Sequence, residues 1–334
     1  LETSDLKRFK QKYFQLYISE DQRDAYLGSL VLCEDASDEA KTEVIKDSAI
    51  GYLDRLFDPE KEFTTEFLEK TIQGCRDSVE SMIDVIRDYD VSKVRSLIAD
   101  LSFHDFYTYD HSINVSMYSI SLIKAIKPEA SQKELTEAGL GGLLHDLGKI
   151  QIPTHIINNP GKLTDEEFKE IKKHPTFGKM LLSQNQQTLE GLDLNVVSRI
   201  ISEHHENFNG TGYPSGLAGS EIHFFARVAA IADFFDALTT KRSYHDVLSV
   251  EEGLILMEKS VGKKIDPKIF KVFSNNVSKI KIKGKAYREL PDSFDPCQPQ
   301  NVLPFKKIEA EVKGRDFHKD DKPRNYGKVK KKVS

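Results

Sequence analysis

The amino-acid sequence predicts a mainly α protein, and three observations carry that prediction. Apolar residues recur at spacings of three and four rather than two. From about Asp110 to Asn275 that period runs almost without interruption. Its breaks fall at Pro128, Pro153, Asn158 to Gly161, Asn209 to Gly212 and Pro267, residue types that end or punctuate helices. The 334 residues amount to about two domains at roughly 150 residues each, enough for a substantial core. With 39% apolar and 30% charged side chains, the composition is that of a folded, well-hydrated protein.

Four segments follow in order. Residues 1 to 58 read as a small accessory or regulatory domain, α+β in character. A short strand-like patch at Tyr13 to Ile18 is followed by an acidic break and then a helix ending near Phe57 and Pro59. Residues 59 to 105 read as a connecting helix: Phe67, Leu68, Ile72, Cys75, Val79, Met82, Ile83 and Ile86 fall on one face of a long helix between Thr65 and Leu101. Residues 106 to 275 form the domain in which chemistry is concentrated, since nine of the ten histidines lie between His104 and His245. Residues 276 to 334 read as an irregular basic tail with one short strand, KIKIKGK, prolines at 291, 296, 299 and 304, and eleven Lys and Arg against five acids in the last 29 residues.

Charge and cysteine usage narrow the class. Lys and Arg number 48 against 53 acids, a net charge of −5 that argues against a nucleic-acid partner. The most apolar stretch, FFARVAAIADFFDAL, is broken by Arg227, Asp233 and Asp236, so no transmembrane segment is expected. Three scattered cysteines without CxxC spacing fit a reducing, cytoplasmic setting.

The chemistry starts at LLHDLGKI, where His145 and Asp146 are adjacent at the end of an apolar helical segment. Four further elements add His111 in YDHSINV, His174 in KKHPTFG, His204 and His205 in SEHHENFNGTGYP, and Asp233 in AIADFFDAL. A helix bundle can turn such side chains inward around one site. Five imidazoles and two carboxylates suit borderline divalent ions such as Fe, Mn, Zn or Co, and a mixed set of this kind is expected to be catalytic rather than structural. Two ions about 3.5 to 4 Å apart can hold a hydroxide and steady an in-line attack on phosphorus, so phosphoester hydrolysis leads the candidate reactions. Gly139, Gly141 and Gly142 in AGLGGLL are read as close-packing positions, and Asp236 as a structural hydrogen-bond acceptor.

The order H, HD, H, HH, D, together with HDLGK, HHENFNGTGYPSGL and ADFFDALTTKRSY, resembles the HD-GYP family of HD-domain metallophosphohydrolases over about residues 108 to 273. The resemblance implies an HD-superfamily helical bundle with a dinuclear centre, most often iron with manganese as the alternative. The family's members open cyclic di-GMP to linear pGpG, in some cases continuing to GMP. Carried over by position, it implies that His111, His145, Asp146 and Asp233 hold one metal and that Asp146, His174, His204 and His205 hold the other, with Asp146 as the bridge. It also implies a catalytic and phosphate-binding Lys149, a substrate-binding loop at Gly212, Tyr213 and Pro214, and a phosphate clamp or loop organiser at Arg242.

The sequence departs from the family pattern at several positions. Tyr107 stands where some members have a glutamate, so two metals are expected rather than three. Asn159, Asn207, His245 and Asp246 stand where basic residues are common, and Ser243 replaces a proline. These losses leave room for two other readings: a weakly active or inactive module that senses a nucleotide or binds signalling partners, and a hydrolase of another cyclic dinucleotide. Oligomeric state is not read from the sequence.

Overall fold

The structure is a computed structural model that describes residues 35–58, 64–87, 89–101, 107–157, 159, 163–183, 192–240 and 248–277, with a few isolated positions before residue 34. The strand-like patch at Tyr13 to Ile18, the KIKIKGK segment, Arg242, Ser243, His245, Asp246 and the basic tail lie outside the described residues. The fold is mainly α, as the 3.6-residue period requires. Among the described residues there is no sheet, and extended pairing is confined to two isolated bridges, Asn209 with Ala218 and Val261 with Ile265.

In chain order the helices are α1 (Asp38–Leu56), α2 (Thr65–Val85), α3 (Val91–Leu101), α4 (Tyr107–Ile126), α5 (Gln132–Leu143), α6 (Thr154–Ile157), α7 (Asp165–Ile171), α8 (His174–Ser183), α9 (Leu194–Glu203), α10 (Phe224–Thr239), α11 (Val250–Glu258) and α12 (Pro267–Val277). Their starts are written in side chains. Ser37 and Thr64 accept from the backbone at Ala40 and Phe67. Ser131, Thr164 and Ser249 each form a reciprocal box with the glutamate three positions on, which satisfies donors a helix start otherwise leaves bare.

The single long helix expected between Thr65 and Leu101 is two helices. The backbone turns after Val85, and the Asp90 carboxylate takes the amide of Lys93 at 2.8 Å, starting α3 afresh. The apolar face itself is buried as expected: Leu68, Ile72, Cys75, Val79, Met82, Ile83 and Ile86 all lie in the core.

At the centre, α4 packs against α5, α10, α1 and α3, and α9 covers the far side of α5. α4 is enclosed for most of its length, with Ser112, Ser116, Ser119 and Ser121 buried among Ile113, Val115, Ile120 and Leu122. The small residues let helices approach closely. A Cβ on Gly142 would lie 3.0 Å from the Ser116 Cα, and one on Gly141 would meet Ile200 at 2.4 Å. One continuous apolar cluster runs from Ile45 in α1 to Val277 in α12, and a smaller one forms around Ile152, Ile156 and Ile171. No helix among the described residues is long and apolar enough to cross a membrane.

Candidate metal centre

The seven donor side chains singled out in the sequence converge on one site, delivered mostly by the ends of helices. His111 stands on the second turn of α4 and Asp233 midway along α10. His145 and Asp146 form the turn that leaves α5, and Asp146 opens a 3-10 turn, Leu147–Gln151. His174 is the first residue of α8, and His204 and His205 follow directly on α9. Gly148 explains how α8 reaches the centre. A Cβ there would fall 1.9 Å from the His174 carbonyl oxygen and 2.4 Å from the Gly178 nitrogen, so only glycine lets the 3-10 turn and α8 touch backbone to backbone.

Two overlapping groups result. Asp146, His174, His204 and His205 each offer one ligand atom within 4.8 Å of the others, and so do His111, His145 and Asp146. Asp233 Oδ1 adds to the second group at 3.1 Å from His111 Nε2. Asp146 belongs to both, with Oδ1 3.4 Å from His174 Nε2 and Oδ2 3.4 Å from His145 Nε2. The imidazoles form a continuous chain, from His111 and His145 at 5.2 Å between centroids to His204 and His205 at 4.0 Å.

The backbone decides which nitrogen of each ring faces inward. Nδ1 of His145, His174 and His204 lies 2.7 to 2.8 Å from the carbonyl oxygen three residues earlier, on Gly142, Ile171 and Ile201. A carbonyl oxygen only accepts, so Nδ1 carries the proton and Nε2 presents a bare lone pair. His111 is held differently: its Nδ1 meets Asp236 Oδ2 at 2.6 Å, while Asn114 and Thr240 donate to Asp236 Oδ1 at 2.8 and 2.6 Å. Asp236 is therefore a structural acceptor, as read, but one that orients a candidate ligand.

Electrostatics point the same way. Burial lowers His174 to about 3 against the pull of Asp146, and burial with His145 nearby lowers His204 to about 4. His205, buried beside His204 and His174, is also held well below the usual histidine value. Burial alone would raise Asp146, yet Lys149, His145 and His174 together keep it well below the carboxylate range. Burial opposes ionisation of Asp233 too, but His111 holds it down at about 2.

These groups fit a divalent cation better than they fit one another. Among the described residues the buried His145 Nε2 has no well-aligned hydrogen-bond partner, only Asp146 Oδ2 at 3.4 Å. The Nε2 atoms of His174 and His204 face each other at 3.3 Å with neither carrying a proton. Bare lone pairs at that distance repel unless a positive charge lies between or beside them, and neutral imidazole with carboxylate is the donor set of borderline divalent metals.

The other expected site residues are placed as follows. Lys149 Nζ lies 2.6 Å from Asp146 Oδ2, beside the donors. Tyr213 stacks on His205 at 4.9 Å and 20°, so its ring covers a candidate ligand. Gly212 packs on the HHEN backbone, where a Cβ would lie 2.1 Å from the Asn207 nitrogen. Pro214 is exposed at the loop tip, and Arg242 lies outside the described residues. The sequence reading did not single out Glu206, whose carboxylate takes the amides of Ser215 and Leu217 at 2.7 and 3.1 Å and ties the Gly-rich loop to the centre. It also missed Asn114. The available signals were the Asp233 to Asp236 and His111 to Asn114 spacings, each of which places two side chains on one helix face.

Comparison with known proteins adds to this geometry. The family model described as HD domain matches residues 95–269. Among curated proteins, a cyclic di-GMP phosphodiesterase of Pseudomonas aeruginosa is 39% identical over 177 residues, covering 52% of this chain and 40% of that protein. A second cyclic di-GMP phosphodiesterase, from Thermotoga maritima, is 31% identical over 206 residues, covering 62% of this chain and 52% of that protein. A 3'3'-cGAMP-specific phosphodiesterase of Vibrio cholerae is 30% identical over 190 residues, covering 57% of this chain and 39% of that protein. The chain thus spans about half or less of the length of these relatives. Among solved structures, an HDG"Y"P protein from Bdellovibrio bacteriovorus superposes with a TM-score of 0.59 at 22% identity, covering 78% of this chain and 81% of that one, a likeness of fold.

Proposed function

The chain belongs to the HD domain family, in its HD-GYP branch, and from that premise we propose that it is a metal-dependent phosphodiesterase that opens cyclic di-GMP to linear pGpG. One observation carries the proposal: seven donors from five parts of the chain gather into two groups that share Asp146. His111, His145, Asp146 and Asp233 would hold one ion, and Asp146, His174, His204 and His205 the other. Iron is the proposed metal, with manganese second. Such ions supply Lewis acidity toward water and phosphoryl oxygen.

The chain's own residues do the positioning. Carbonyl oxygens hold Nδ1 of His145, His174 and His204 and so aim Nε2 of each inward, burial keeps His174 and His204 neutral, and Asp236 orients the ring of His111 through its Nδ1. Lys149, one-fifth exposed beside Asp146, places an ammonium where a phosphate oxygen can bind and a proton can pass to the departing 3′ oxygen. The reaction consumes one water, breaks one bond between phosphorus and the 3′ oxygen, and leaves a 5′ phosphate and a 3′ hydroxyl. The Gly-rich loop with Tyr213 and, by resemblance, Arg242 would complete the substrate side.

The relative specific for 3'3'-cGAMP motivates a second reading, hydrolysis of the mixed guanine and adenine ring, which has the same sugar-phosphate skeleton. Chain purified with iron or manganese, incubated with each cyclic dinucleotide and resolved by chromatography, decides between them; pGpG from cyclic di-GMP is the expected product. Asp146→Ala, which removes the donor common to both groups, is expected to abolish metal retention and turnover together. Full metal occupancy with stable binding and no product from either ring would instead establish a sensing module.

A further inference from the structure

Lys46 lies in the middle of α1, far in sequence from any residue given a role above. Its Nζ is 2.7 Å from Asp110 Oδ1, and the two side chains are only 8% and 10% exposed. A lysine placed this deep requires a partner to offset its desolvation, and here the partner is the residue immediately before His111. α1 and the residue that caps its end, Phe57, each grip the same turn of α4 once more. Tyr109 Oη donates to Asp54 Oδ1 at 3.3 Å, and the Tyr109 ring packs 6.0 Å from that of Phe57.

The contact reaches the other side of His111 as well. Lys46 and Asn114 line one small cavity with Met82 and Ile113. Asn114 donates to the Asp236 carboxylate that holds the His111 ring. His111 is therefore fixed from two directions: its ring by α10 through Asp236, and its backbone by α1 through Asp110 and Tyr109.

Resting on the metal reading above, we propose that Lys46 is a positioning residue for the centre. Its ion pair with Asp110 sets the roll of α4 and so makes the affinity of the His111 group depend on a helix in the amino-terminal segment. The lever is large enough. A side-chain tip lies about 5 to 6 Å from its helix axis, so a roll of about 10° carries Nε2 through about 1 Å. That exceeds the ~0.2 Å latitude of metal–ligand distances several-fold.

The test counts ions by elemental analysis and measures affinity by calorimetric titration with Mn2+, on the whole chain. Wild type is expected to hold two ions. Lys46→Met is expected to hold one, with the second site weakened about 10- to 100-fold, the range seen when outer partners of metal ligands are removed, and the first site unchanged. Asp110→Asn should reproduce this loss, the double variant should be no worse than either single one, and Lys46→Arg should restore the second ion. Ile72→Ala, a core truncation in α2 that leaves the pair intact, controls for lost stability and should keep both ions. Two ions of unchanged affinity in Lys46→Met, or loss of the same ion in Ile72→Ala, would overturn the proposal. A wild-type chain that binds no ion would overturn the metal reading itself and this proposal with it.

Discussion

A histidine that folds neutral is stable only while the solvent lets it stay neutral. His174 and His204 have folded values of about 3 and about 4, against 6.5 when unperturbed. Between those limits the unfolded chain binds more protons, so stability rises with pH and is lost as pH falls. Each such group contributes at most about 1.4 kcal/mol per pH unit in that window. Asp146 and Asp233 act in the same sense, but only below their unperturbed 3.8. Metal-free protein is therefore expected to lose thermal stability steadily from pH 6.5 to 4.5, followed by circular dichroism; a flat midpoint over that range would contradict the burial of His174 and His204 as neutral rings. The seven donors were legible in the sequence because their chemistry is local to short motifs. Of the groups that aim them, Asp236 reads only as a structural acceptor, and Asn114 and three backbone carbonyls are not legible there at all, since they are ordinary groups until the fold brings them to the site.

Helix ends do the assembling, and the critical contact between them has no side chain at all. Gly148 admits the His174 carbonyl at a distance where any Cβ would collide with backbone, which cannot rotate away. Gly148→Ala is expected to cost about 3 kcal/mol, the upper part of the range for overpacking, and to displace α8 with His174. Denaturant titration reads the first effect and calorimetric Mn2+ binding the second. The period of the apolar residues announced most helices, and the serine and threonine boxes marked several starts. It did not announce the break at Asp90, because the expected face is read only as far as Ile86, whereas Val91, five residues on, opens a new buried face with Val94 and Leu97. The Asp90 carboxylate, which takes the amide of Lys93, marks where the second helix starts.

At the scale of the whole molecule, α1 contributes Ile45, Ala49, Leu53 and Leu56 to the same apolar cluster as α4 and α10. Leu53→Ala, at a fully buried position, is expected to lower stability by about 2 to 5 kcal/mol. The described helices should still unfold in a single step, seen as a shifted urea midpoint with an unchanged slope; a second transition would show that α1 melts on its own. Shared packing of this kind explains why a helix without any donor can still bear on the centre. The donor cluster also has a consequence for the order of events. Among the described residues at the centre, Asp146, Asp233 and Asp236 set three carboxylates against the ammonium of Lys149 and the His111 ring that two of them hold, so acids predominate there. On the proposed function, the dianionic ring of a cyclic dinucleotide would be repelled by such a cluster, and two divalent cations would invert its sign. Under that reading loading is expected to precede recognition, so that removing metal acts by keeping the proposed substrate out rather than by slowing the chemistry.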